Sequence, residues 1–302
     1  MKDDKDVDVI IIGGSYAGLS AAMALGRSLR KVLVIDSGRP CNRQTPHSHN
    51  FLTQDGETPQ DIANKARAQV AAYPTVSFLE ATAIKGEKID NGFLITTMSD
   101  DSYAAEKLIL ATGVRDLLPD IKGFAACWGI SVVHCPYCHG YEFRHRKTGI
   151  LANADKAFHL ASLVNNLTDD LHILATNRAD FDPEQLAKLE KHGIRIKESE
   201  IKEIEHEQGV MKSILFKDGS RESFDALYAA VPFAQHTDIP HSLGCEMTEH
   251  GYVIVDSFQR TNIPGVFACG DNSSMMRSVA NAVSSGNLAG AVVNKVLTDE
   301  RF

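Results

Sequence analysis

The 302-residue chain has no apolar run long enough to cross a bilayer. It also lacks the positively charged start of a secretory leader. Its first residues, MKDDKDVDVIIIGG, carry acids instead, and their apolar stretch is too short for a leader core, so a cytoplasmic protein is expected. No surplus of positive charge is present: 31 Lys and Arg stand against 39 Asp and Glu, a net charge of −8. That balance argues against nucleic acid or an acidic membrane as a main partner, although it leaves room for a local basic pocket. Short-period repeats and low-complexity tracts are missing as well. What remains is an ordinary globular composition, 43% hydrophobic and 23% charged, at a length that suits two domains.

Of six cysteines, Cys41, Cys127, Cys245 and Cys269 are isolated. In a reducing compartment such residues are usually small and buried, which is the expectation for Cys127, Cys245 and Cys269. Cys135 and Cys138, in HCPYCHGYE, have two residues between them. Cys135 to His139 meets the C-x-x-C-H haem pattern literally, but covalent haem attachment normally follows export, which this N-terminus does not support. A zinc site needs two more ligands; His134, His139 and His145 are near, yet no second C-x-x-C exists. A structural disulfide is disfavoured in the cytosol. A reversible redox couple is the reading left, with no metal expected. One thiolate must then form near neutral pH. His139 could take the proton and stand beside the thiolate as imidazolium, or serve only as a spacer at a helix start. His47 and His49 are further candidates for this work, and Glu142 can cap or pair locally.

Along the chain, VDVIII (7–12) is a continuous apolar run ending in Gly13-Gly14, as expected of a buried parallel strand. A helix is expected over 18–29 and a second strand over 31–36, ending in Asp36; together they make a βαβ opening. Residues 37–58 form a loop too long to be idle. Residues 59–72 read as a helix and 76–110 as a small antiparallel sheet, closing in the buried strand KLILA and Thr112-Gly113. From about 119 the pattern restarts with a second βαβ unit. Residues 245–302 read as a return to the first domain through GYVIV, GVFACGD and a terminal helix from Val279. In the first unit, Gly13-Gly14-Ser15-Tyr16-Ala17-Gly18 is a G-x-G-x-x-G pattern with Ser15 in the second glycine slot. Gly13 suits the tight turn and Gly18 the close helix–strand packing, so a pyrophosphate would rest on the helix N-terminus. Asp36 can accept from a ribose diol.

GGSYAGLSAAMAL, LILATG and TNIPGVFACGDN resemble the FAD segments of the two-dinucleotide flavoprotein disulfide reductases. The placement of the cysteine pair just before the second βαβ unit resembles the low-molecular-weight thioredoxin reductase branch. CPYCHGYE looks closer still to the dithiol oxidases that close disulfides in gliotoxin-type metabolites, and to their bacterial relatives. The resemblance implies an α/β fold of two Rossmann-like, three-layer domains. Residues 1–117 and 244–302 would bind FAD, and 118–243 would form an NAD(P)-binding-like domain carrying the cysteines. It further implies FAD contacts at Thr112, Gly113, Gly270 and Asp271, a flavin-contacting turn at Arg277-Ser278-Val279, and Asn50 at the isoalloxazine. Cys138 would face the flavin, Cys135 would exchange with substrate, and the protein would be a homodimer.

The second cradle departs from that family. Where an NADPH fingerprint belongs, the chain reads Ala152-Asn153-Ala154-Asp155-Lys156-Ala157. The added Cβ atoms should crowd a pyrophosphate, and Asp155 brings a like charge to the helix N-terminus. The following strand ends Ala175-Thr176-Asn177, with only Arg178 beyond, in place of the family's His-Arg-Arg clamp. The expectation is an FAD-dependent thiol/disulfide oxidoreductase that does not use NADPH and draws electrons from a dithiol, either a thioredoxin-like protein or a small molecule. The alternatives are an NAD(P)H-dependent thioredoxin-disulfide reductase and a flavin-loaded thiol sensor.

Overall fold

The computed structural model describes residues 6–175 and 180–302. The chain forms two compact units. One takes residues up to 43, 51–115 and 233–302; the other takes 44–50 and 116–232.

The first unit opens with β1 (Asp6–Ile12), α1 (Tyr16–Arg27) and β2 (Val32–Asp36). Val9 and Ile11 enter one core with Leu19, Ala22 and Leu25 of α1, while Ile10 and Ile12 enter a second core on the opposite face. Alternate strand residues point to opposite sides, so an unbroken apolar run belongs to a strand covered on both. The helix ends at Arg27, before the expected limit, because Leu29 takes φ +57. Next come α2 (Pro59–Ala71), capped by Thr58, and β3 (Val76–Glu80), β4 (Ala83–Ile89), β5 (Gly92–Thr97) and β6 (Ser102–Leu110). The antiparallel expectation for 76–110 holds only for β4, β5 and the first half of β6. β3 lies parallel to β2, and β6 runs parallel to β1 through Leu110. The reason is burial: Leu108, Ile109 and Leu110 are covered on both faces, whereas Ser102, Tyr103 and Ala104 are not. β7 (Val114–Asp116) leads out of this unit.

The second unit contains α3 (Phe124–Cys127), β8 (Val132–Val133), α4 (Pro136–His139), β9 (Thr148–Leu151), α5 (Ala154–Val164), β10 (Leu171–Leu174), α6 (Pro183–Lys191) and β11 (Arg195–Lys197). It continues with β12 (Ile201–Glu207), β13 (Val210–Phe216), β14 (Arg221–Glu222) and β15 (Ala226–Ala229). Its parallel sheet has the order β11-β10-β9-β15-β8, and β12-β13-β14 form a separate antiparallel sheet that the sequence pattern did not reveal.

The chain rejoins the first unit at 233, where the sequence suggested 244. β16 (Phe233–Gln235) pairs with β7, and Ile239 of α7 (Ile239–Ser242) is already buried in the first unit's second core. β17 (Val266–Ala268) lies beside the second half of β6, and α8 (Val279–Arg301) closes the unit. GYVIV is not a strand. It makes only the single bridge Met247–Val253, formed by the Ile254 N–H on Glu246 O and the Thr248 N–H on Tyr252 O, while the Val253 N–H turns to Asn272 O. Among the described residues no helix is long and apolar enough to cross a membrane.

Candidate redox site and dinucleotide cradles

In the first unit β1, β6 and β17 are neighbouring parallel strands whose C-terminal ends lie together. Gly13, Thr112-Gly113 and Gly270-Asp271 each follow one of those ends, the place where open α/β sheets take ligands. Gly13 has φ +105, and a Cβ there would stand 2.2 Å from the Ala111 carbonyl oxygen. A Cβ on Gly18 would stand 1.8 Å from the Gly13 oxygen. No side chain but hydrogen fits either position. Ser15 is the N-cap of α1, yet its side chain makes no capping hydrogen bond, and the first turn holds no acid. The N–H groups there are left for an anion. Asp36 ends β2, where Oδ1 accepts from the Gly14 N–H at 2.9 Å and Oδ2 from the Gly38 N–H at 3.3 Å.

Asp271 lies 3.7 Å from Arg277 Nε and 4.0 Å from Cys41 Sγ. Ser278 is the N-cap of α8, its Oγ accepting from the Asn281 N–H at 3.1 Å, and Val279 is the first helical residue. Sequence reasoning missed Asn272, which is fully buried and donates from Nδ2 to Leu110 O at 2.9 Å. Its Oδ1 has no partner among the described residues. Asn50, at φ +60, belongs to the second unit and is not grouped with these residues. An anion-ready helix end, a carboxylate at the neighbouring strand end and an unused buried amide oxygen fit a flavin dinucleotide.

The cysteine pair follows β8. Cys135 is the N-cap of α4, with Pro136 at the first helical position, and its Sγ accepts from the Cys138 N–H at 3.2 Å. A hydrogen bond of this kind favours the thiolate at Cys135. The two Sγ atoms are 2.6 Å apart, so exchange between dithiol and disulfide needs little movement. His139 is pushed down to about 4, by burial first and by His49 second. It is therefore neutral at pH 7 and not the imidazolium that the sequence allowed. His49 Nε2 lies 3.6 Å from Glu142 Oε1, while His47 is exposed with its ring 6.4 Å from that of His49. His134 stacks on Trp128 at 5.9 Å.

Tyr228 was not legible in the sequence. It stands on β15 opposite Val133, two residues before Cys135. Its side chain is 1% exposed, and its hydroxyl has no partner among the described residues. Burial raises its pKa, and Cys135, Glu142 and Cys138 raise it further, so it stays protonated. Cys127, Cys245 and Cys269 are buried, and burial pushes each thiol up, Cys269 to about 12. Among the described residues no cluster of His, Cys, Asp and Glu is placed to hold a metal ion.

The corresponding helix start in the second unit is built differently. Ala152 follows β9 and is buried, and Ala154 takes φ +48, a conformation that suits glycine. Asp155 lies in the first turn of α5 and accepts from Gln185 Nε2 at 2.8 Å. Gln185 is in turn locked into the capping box of α6 with Asp182. The helix end thus carries its own carboxylate, tied down by a neighbour, where a pyrophosphate would need N–H groups. These residues do not fit a nicotinamide dinucleotide bound in the usual way. Ala175 follows β10 and is buried; Thr176, Asn177 and Arg178, the second part of the expected departure, lie outside the described residues.

One glycine-built cradle, a second parallel sheet whose helix start is altered, and a cysteine couple in the unit of that second sheet define a disulfide oxidoreductase fold. The chain belongs to the pyridine nucleotide-disulphide oxidoreductase family, whose model matches residues 7–286. It is 35% identical to thioredoxin reductase tcpT of Claviceps purpurea over 98% of this chain and 96% of that one. It is 32% identical to thioredoxin reductase aclD of Aspergillus oryzae over 97% and 98%. The crystal structure of an oxidoreductase from Agrobacterium tumefaciens superposes with a TM-score of 0.91 at 36% identity, covering 97% of this chain and 99% of that one. The fold is of the thioredoxin reductase type. The chain is an oxidoreductase acting on sulfur groups, in a family of FAD-binding flavoproteins.

Proposed function

We propose that this protein oxidises a dithiol through the Cys135–Cys138 couple, with FAD and without a nicotinamide nucleotide. The contrast between the two helix starts carries this reading: α1 offers an uncapped, acid-free first turn, whereas α5 fills its own with Asp155, held by Gln185. FAD, when bound, would supply a two-electron acceptor for the couple, with oxygen, a quinone or a protein carrier as the final acceptor. Gly13, Ser15, Gly18, Asp36, Thr112, Gly113, Gly270, Asp271, Ser278 and Val279 are the residues to hold it, with Asn50 at the ring. Cys135, whose sulfur already accepts an N–H bond, is the sulfur that exchanges with substrate; Cys138 faces the flavin. The substrate is a thioredoxin-like protein or a small dithiol. The working form is a cytoplasmic homodimer in which the first unit binds FAD and the second carries the cysteines.

The names of the relatives favour a second reading, an NAD(P)H-dependent thioredoxin reductase. Anaerobic mixing separates the two. The yellow protein is mixed in separate cuvettes with NADPH, NADH and a dithiol, and the flavin's visible band is followed. Bleaching by dithiol alone, reversed by air with release of peroxide, is the expected result. Rapid bleaching by NADPH would establish the reductase, and bleaching by none of the three would favour a thiol sensor. Cys138→Ser should keep FAD and lose bleaching by dithiol.

A further inference from the structure

Exchange between a substrate dithiol and a disulfide begins with loss of a proton, because the thiolate attacks and the thiol does not. His139 follows the couple directly, but it sits buried and faces a second histidine. A group held so far below neutrality is a poor base at pH 7. The 44–50 segment supplies another histidine, His49, and the chain beyond α4 supplies its partner, Glu142. The Gly140 N–H bonds Pro136 O at 2.8 Å and the Phe143 N–H bonds Gly140 O at 3.2 Å, so the backbone keeps turning past His139. Cys135, Cys138 and Glu142 are spaced by three and four residues, the intervals that share a face wherever a helical turn is kept. Glu142 meets His49 there at 3.6 Å, and the two side chains retain 38% and 21% exposure, enough to pass a proton to water. Ser48, 7% exposed, anchors the 44–50 segment within the same unit. Glu142 acts on the buried Tyr228 hydroxyl in the same direction as Cys135 and Cys138, raising its pKa.

Resting on the dithiol reading above, we propose that His49, oriented by Glu142, is the general base that takes the proton of the attacking substrate thiol. The first substrate thiol gives its proton to His49, whose positive charge faces the Glu142 carboxylate. Its sulfur bonds to Cys135 Sγ as the Cys135–Cys138 bond breaks, and the electron pair leaves on Cys138 Sγ. The second substrate thiol then closes on the first substrate sulfur, expels Cys135, and its proton passes to the released Cys135 sulfur. The substrate loses two electrons and the couple gains them. His139 remains neutral throughout.

The test follows the couple itself. The flavin-loaded protein is mixed anaerobically with dithiothreitol, quenched in acid at short times, alkylated and weighed, which counts reduced Cys135 and Cys138, while the visible band counts the electrons already passed to the flavin. At pH 7 His49→Gln is expected to slow reduction about 100-fold or more. That deficit should fall below about tenfold at a pH where the dithiol is already ionised. His139→Gln should cost at least about tenfold less than His49→Gln, and Glu142→Asp should recover part of the rate lost in Glu142→Gln. A His49→Gln rate equal to the parent's, or a loss that is the same at both pH values, would overturn the assignment of the base while leaving the dithiol reading intact. A parent protein whose couple no dithiol reduces would overturn both.

Discussion

Acidification offers a direct measure of how His139 is held. Its pKa falls from the ordinary 6.5 to about 4, chiefly because burial disfavours the charged ring and secondly because His49 stands close. Above pH 6.5 His139 is neutral in both folded and unfolded chains and contributes no pH dependence. Below 6.5 the unfolded chain binds a proton that the folded chain refuses until about pH 4. Stability is therefore lost as pH falls through this window, at about 1.4 kcal/mol per pH unit and about 3 kcal/mol in all. Urea unfolding of the parent and His139→Gln at pH 7.5 and pH 5 isolates the effect from the other histidines. The parent should lose about 2 kcal/mol more than the variant over that interval. The ring's C2–H resonance should show no protonation at pH 6. Parallel losses in the two proteins, or a His139 titration near its ordinary value, would refute the burial argument and return His139 to contention as the base.

Three substitutions probe the remaining geometry. Gly13→Ala places a Cβ 2.2 Å from the Ala111 oxygen at φ +105, and it should cost about 3 kcal/mol or more and strip the flavin, read by urea unfolding and visible absorbance. Ala154→Gly should stabilise by about 0.5–1 kcal/mol, since relief of the left-handed strain exceeds the added chain entropy. That variant should still fail to be bleached by NADPH, because Asp155 stays tied to Gln185. Tyr228→Phe removes a buried hydroxyl without a partner among the described residues and should stabilise by about 1 kcal/mol; a loss of stability would mean that the hydroxyl is satisfied by a bound water.

Much of the molecule was legible before any coordinates. The run VDVIII with Gly13 and Gly18 specified a doubly covered strand and a helix packed against it, because a two-sided burial pattern and a missing Cβ are local properties of the chain. The spacing of Cys135 and Cys138 placed both sulfurs at one helix start for the same reason. Ala152, Ala154 and Asp155 announced a changed second cradle. Tertiary structure alone decided the rest. Tyr228 reaches the couple only because β15 pairs with β8, residues 95 positions apart in Tyr228 and Val133. His49 meets Glu142 because the 44–50 segment folds with the second unit. Gln185 reaches Asp155 across two helix starts, and β6 changes partners halfway along its length. Steric demands of the backbone are written residue by residue, but a proton's route depends on which distant side chains the closed chain brings within reach of each other.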